Sequence, residues 1–81
     1  MEDPVNRKGY DLIKEKKLKE AVDVLKLNVL AYPQSANAYD SLGEAYLASG
    51  NKTSAIENYK MSLELDPKND NAKEVLKKLQ P

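Results

Sequence analysis

Serines, lysines, carboxylates and tyrosines are the side chains that could do chemistry in this chain; histidine and cysteine are both absent. Without them neither a Ser–His–Asp nor a Cys–His arrangement can be assembled. A Ser–Lys pair stays formally open, but the serines (35, 41, 49, 54 and 62) fall on predicted helix surfaces or helix ends. No glycine-rich phosphate loop occurs. The reading is a non-enzymatic chain with no cofactor and no metal. Two short motifs bear on that. Asp66-Pro67-Lys68-Asn69-Asp70-Asn71 sets oxygen ligands at close spacing, as a calcium loop would. It lacks the glycine at the sixth loop position and the glutamate at the twelfth, and helix capping accounts for it. Asn51-Lys52-Thr53 fits the N-glycosylation pattern at a predicted exposed turn, where an Asn after a helix-ending glycine is also ordinary turn chemistry.

The elements that must position these residues are bounded by composition. With 81 residues the chain is one domain or part of one. Lys plus Arg number 13 and Asp plus Glu number 13, so the net charge is zero. A nucleic-acid binder carries a basic excess that is missing here. The run Lys14, Lys16, Lys17, Lys19 is offset by Glu15 and Glu20 and reads as a solvated helix–turn surface. No apolar stretch approaches the roughly 18 residues that suggest a membrane span. Met1-Glu2-Asp3-Pro4-Val5-Asn6-Arg7-Lys8 has no apolar stretch behind its charges, so it does not read as a signal peptide. The expectation is a soluble chain, with cytoplasmic location favoured and neither nucleic acid nor membrane as partner.

The chain repeats itself at a spacing of about 34 residues. Gly9 and Gly43, Ala21 and Ala55, Lys26 and Lys60, and Pro33 and Pro67 coincide in that register. Val22/Ile56, Asp23/Glu57, Leu27/Met61 and Val29/Leu63 are similar pairs. Each copy splits into two helical segments. Tyr39, Leu42, Gly43 and Tyr46 fall on one helical face, and Ala55, Ile56, Tyr59 and Leu63 on another. In the first copy Leu18, Ala21, Val22, Leu25 and Val29 share a face; Val5, Gly9 and Leu12 form a less regular one that Lys8 interrupts. Gly50-Asn51 suits a left-handed helix stop, and the second helices should end before Pro33 and Pro67. Asn69 or Asp70 is placed to cap a fifth helix with Ala72, Val75, Leu76 and Leu79 on its apolar stripe. Gly43 costs roughly 1 kcal/mol in mid-helix, so a neighbouring helix must approach it closely; Ala55 is the expected small partner. Tyr39, Tyr46 and Tyr59 are read as core, Tyr32 as packing at a helix end, and Tyr10 as projecting from the first helix.

The motif Tyr39-x-x-Leu42-Gly43-x-x-Tyr46, followed by Ala55, Tyr59 and Pro67, resembles the tetratricopeptide repeat, a 34-residue helix–turn–helix. Tyr39 stands where tryptophan is commoner. Ser62 replaces a small residue of the second helix, and Lys52 an often aromatic residue after the turn, which should loosen that turn. The first copy keeps Gly9, Ala21 and Pro33 but has Val5, Lys8 and Leu12 where the family favours an aromatic, a leucine and a tyrosine. The resemblance implies an all-α fold: a degenerate repeat over 2–35, a second over 36–69 and a capping helix over 70–80, in one domain spanning 1–81. Residues 27–46 also resemble the helical tail of some bacterial serine hydrolases of the esterase and β-lactamase type, which would make the chain a bacterial appendage.

In the family, the first helices of successive repeats line a concave surface that holds an extended peptide. Carried over by register, that surface comprises Asp3, Asn6, Tyr10, Ile13 and Lys14, then Asn37, Asp40, Glu44, Leu47 and Ala48. The resemblance thus implies a protein-interaction module. Its groove would suit a partner segment with an apolar anchor and a Lys or Arg. One subfamily grips chaperone C-terminal carboxylates with Lys, Asn and Arg; the matching positions here hold Asn6, Tyr10 and Ser41, so that activity is not expected. The alternative is structural: two repeats bury less than the three or more usual for such arrays. An exposed N-terminal helix edge could then pair with a second copy, making the chain a monomer or weak homodimer.

Overall fold

The computed structural model describes residues 4–80, with side chains from Asn6 onward. Asp3 and the Val5 side chain therefore lie outside the described residues. Five helices follow in order: α1 (Pro4–Lys14), α2 (Leu18–Ala31), α3 (Ala36–Ala48), α4 (Lys52–Leu65) and α5 (Asp70–Leu79). No strand occurs among the described residues.

The helix ends follow local chemistry. At the α3 terminus Gly50 takes φ +84°. Asn51 N–H then reaches Tyr46 O at 2.9 Å and Gly50 N–H reaches Leu47 O at 3.1 Å, the paired bonds of a Schellman stop. The α1 terminus makes the same two bonds, Lys17 N–H to Leu12 O at 2.9 Å and Lys16 N–H to Ile13 O at 3.0 Å. Its left-handed residue is Lys16, at φ +62°, the counterpart of Gly50 in the repeat register. Three helix starts are held by side chains: Ser35 caps α3, Asn51 caps α4 and Asn69 caps α5. The Asn51 cap accepts Ser54 N–H at 3.2 Å, so the turn before Lys52 is fastened by its asparagine rather than by an aromatic contact. Asp66 Oδ1 accepts Lys68 N–H at 3.1 Å, and Asn69 Oδ1 accepts Ala72 N–H at 3.2 Å. Asp66 and Asn69 of the 66–71 segment thus use side-chain oxygens in turn and cap bonds.

Short turns make neighbouring helices pack as two antiparallel pairs and a closing helix, in a slab of 29 × 27 × 16 Å. One core cluster gathers Leu12, Ala21, Leu25, Leu42 and Ala45; the other gathers Ala55, Tyr59 and Ala72, and Tyr46 packs against both. Val75, Leu76 and Leu79 lay the apolar stripe of α5 on the second cluster, as their spacing predicts.

Three packing expectations need correction. Tyr32, expected to pack at a helix end, is 55% exposed. The neighbour of Gly43 is Tyr59, not Ala55: a Cβ there would meet the Tyr59 ring at 3.0 Å. Ala55 is fully buried and packs beside that ring. Tyr39 and Tyr46 are half-buried, while the alanines preceding them, Ala38 and Ala45, are buried. The helices close over the small alanines, and the larger rings beside them stay partly in solvent. In the first pair, a Cβ on Gly9 would overlap the Leu25 side chain.

Lys16→Gly should stabilise the fold by about 0.5–1 kcal/mol in urea denaturation. Relief of left-handed strain, about 1–2 kcal/mol, outweighs the added freedom of the unfolded glycine. Gly9→Ala should cost up to about 2 kcal/mol by the same measurement, since overpacking of about 1–3 kcal/mol is offset in part by alanine's better helix propensity, about 1 kcal/mol.

Candidate functional site

The first helices of the two pairs carry the residues that the repeat register assigns to the concave face. Their environments differ sharply. Tyr10 is half-buried. Ser41 Oγ stands 3.1 Å from Tyr10 OH and 2.9 Å from Asn37 O, its one proton shared between the two acceptors. Asn37 and Lys14 are exposed, Glu44 is half-buried, and Ala48 is exposed at the end of α3. Leu47 is 37% exposed. Ile13 is half-buried and turned toward the first core cluster. Asn6 and Asp40 are each only 8% exposed, so little of either is open to a partner.

The electrostatics centre on Asp40 and Glu44, one turn apart on α3. Burial raises the Glu44 carboxyl above its ordinary value, and the charge of Asp40 raises it further. Burial also raises the Tyr10 hydroxyl; the contact with Ser41 opposes this, and the charges of Glu44 and Asp40 add to it. Tyr59 is pushed strongly up, first by burial and then by Asp40, Glu44 and Tyr10. Among the described residues the ion pairs are Lys17–Glu15 and Lys73–Asp70; neither engages Asp40 or Glu44.

A second feature was not legible in the sequence. Asp40 is held by amides from the far end of the chain: Asn69 Nδ2 donates to its Oδ2 at 2.7 Å and Asn71 Nδ2 to its Oδ1 at 3.1 Å. Asn69 Nδ2 also donates to Ser62 Oγ at 2.8 Å, and Ser62 donates to Ala36 O at 2.8 Å. Ser62, which reads as a mild change from a small residue, is fully buried and joins α4 to the start of α3. The available signal was that an acid, a serine and two asparagines occupy positions facing one junction; periodicity alone gives no reason to connect residues 29 or 31 apart.

The tetratricopeptide-repeat family model matches residues 36–69, which are α3, α4 and their flanking turns. Residues 36–69 form a tetratricopeptide repeat. Superkiller complex protein 3 of Mus musculus and its namesake of Homo sapiens are each 36% identical to it over 61 residues. That match takes in 75% of this chain but only 4% of either relative's length. Neither name points to the bacterial hydrolases whose tails residues 27–46 resemble. Tetratricopeptide repeats generally mediate protein–protein interaction and are typically non-catalytic. Among the described residues, no helix of this chain is long and apolar enough to cross a membrane.

Glu44→Gln tests the electrostatics of the concave patch. A carboxyl raised on folding stabilises below its unfolded value, and that contribution is lost as pH rises through the folded value. The glutamine variant should therefore match the parent at low pH. It should become more stable as pH climbs through the raised carboxyl range, by on the order of a few tenths of a kcal/mol at neutral pH because half the group is solvated. Denaturant titrations across pH check this.

Proposed function

We propose that this chain binds an extended protein segment across the concave faces of α1 and α3. The segment carries an apolar anchor and a Lys or Arg. The observation that carries this reading is Glu44: a half-buried carboxylate beside Asp40 and Tyr10, without an ion pair among the described residues. An unneutralised charge in a partly desolvated setting opposes folding and favours an incoming cation. Tyr10 and Leu47 offer apolar surface on either side of it. Asn37 supplies exposed hydrogen-bonding groups at the start of α3.

In this reading Asn6, Asp40 and Ile13 act beneath the groove. Asp40 contributes its charge through Glu44 and Tyr10, and Ile13 supports the wall from the core. Residues 2–35 serve as a degenerate first repeat and α5 as the closing cap, so that α1 and α3 present one continuous face.

Titration calorimetry against a library of short peptides tests the reading. Peptides with an aromatic or aliphatic residue near a Lys or Arg should bind, and replacing that cation by Gln should weaken them. Tyr10→Ala should lower the affinity about tenfold or more if the ring anchors the segment. Glu44→Gln should lower it severalfold, with a flatter salt dependence. Affinities unmoved by both substitutions would show that the segment lies elsewhere.

A further inference from the structure

The two helix pairs share one register, so each polar residue of the α3–α4–α5 junction has a counterpart in the α1–α2–α3 junction. Asn6 corresponds to Asp40, Asn28 to Ser62, Ser35 to Asn69 and the exposed Asn37 to Asn71. In the later junction one amide nitrogen, Asn69 Nδ2, serves two acceptors, Asp40 Oδ2 at 2.7 Å and Ser62 Oγ at 2.8 Å. In the earlier junction that amide is replaced by the shorter hydroxyl of Ser35. Both flanking acceptors persist there. Asn6 and Asn28 are 8% and 2% exposed, and among the described residues neither Oδ1 accepts a hydrogen bond. Ser35 Oγ accepts Ala38 N–H at 3.1 Å, which occupies its lone pair and not its proton. Two buried amide oxygens without donors in one junction are rare in folded chains.

We propose that the α1–α2–α3 junction binds a single water molecule, which donates to Asn6 Oδ1 and Asn28 Oδ1 and accepts the Ser35 hydroxyl proton. It stands where Asn69 Nδ2 stands in the later junction. Three hydrogen bonds are what a buried water typically makes. The chemistry selects water over a cation: the position of the Asp40 carboxylate is taken here by the neutral Asn6, and two amide oxygens with one hydroxyl fall short of the oxygen count a hard cation requires. The water closes the junction that fixes α1, and α1 carries Tyr10.

Two experiments decide it. A high-resolution crystal structure of the whole chain should show a water bonded to all three side chains. A direct bond between Asn6 and Asn28, with one amide turned about, overturns the proposal. Thermal unfolding of Ser35→Asn supplies the second reading. The new amide should displace the water and reach both acceptors, raising Tm by about 4–8 °C, since the bonds to both acceptors are kept while the ordered water is released. The gain should vanish when Asn28→Leu removes an acceptor. An equal gain in both backgrounds would mean that Asn is merely a better cap at position 35, and no gain in either would mean that the junction holds no such site; both overturn it. If Asn28→Leu fails to fold, the crystal structure of the parent chain decides alone.

Discussion

The seating of the Tyr59 ring on the backbone of Gly43 is the contact from which the second helix pair is built. Glycine in mid-helix costs roughly 1 kcal/mol, while full burial of a large side chain contributes about 1.5–3 kcal/mol. Burial wins, and it wins only because no Cβ stands in the way. The close approach draws α4 across α3 and brings the far end of α4 to the start of α3. There Ser62 can reach the Ala36 carbonyl. Leu25 over Gly9 does the same for the first pair. Small residues set the distance between helices, and large ones fill the space that distance leaves.

The same approach creates the electrostatic character of the concave side. Asp40 is drawn into the junction and held by the neutral amides of Asn69 and Asn71. Those donors satisfy its oxygens without cancelling its charge. That charge reaches Glu44, Tyr10 and Tyr59. One carboxylate thus has two effects: it fastens α5 to α3, and it raises the titration of Glu44, Tyr10 and Tyr59.

The two helix pairs have one fold and unequal chemistry. The later pair stops its first helix with Gly50 and bridges its junction with Asn69; the earlier pair stops its first helix with Lys16, and at the position of Asn69 it has Ser35, which caps α3 but bonds to neither Asn6 Oδ1 nor Asn28 Oδ1. The left-handed stop survives the substitution because its two backbone bonds are independent of the side chain. Backbone geometry therefore persists after the side chains that favour it have gone. This is why register, and not residue identity, carries the likeness between the pairs.

Legibility followed interaction range. The helices, their stops, the all-α class and the stripe of α5 could be read from the sequence, since each depends on contacts within about four residues or on a repeat spacing. The absence of histidine and cysteine excluded whole classes of catalysis before any fold was considered. Candidate groove residues could be placed on a face, but not sorted by depth. Only the tertiary structure put Tyr59 rather than Ala55 against Gly43. It also drew Asn6 and Asp40 inward while leaving Glu44 half in solvent, and it joined Asp40 to residues 29 and 31 positions away. Periodicity fixes the direction in which a side chain leaves its own helix. How far a neighbouring helix then closes over it depends on the sizes of residues distant in sequence, and that is decided by packing.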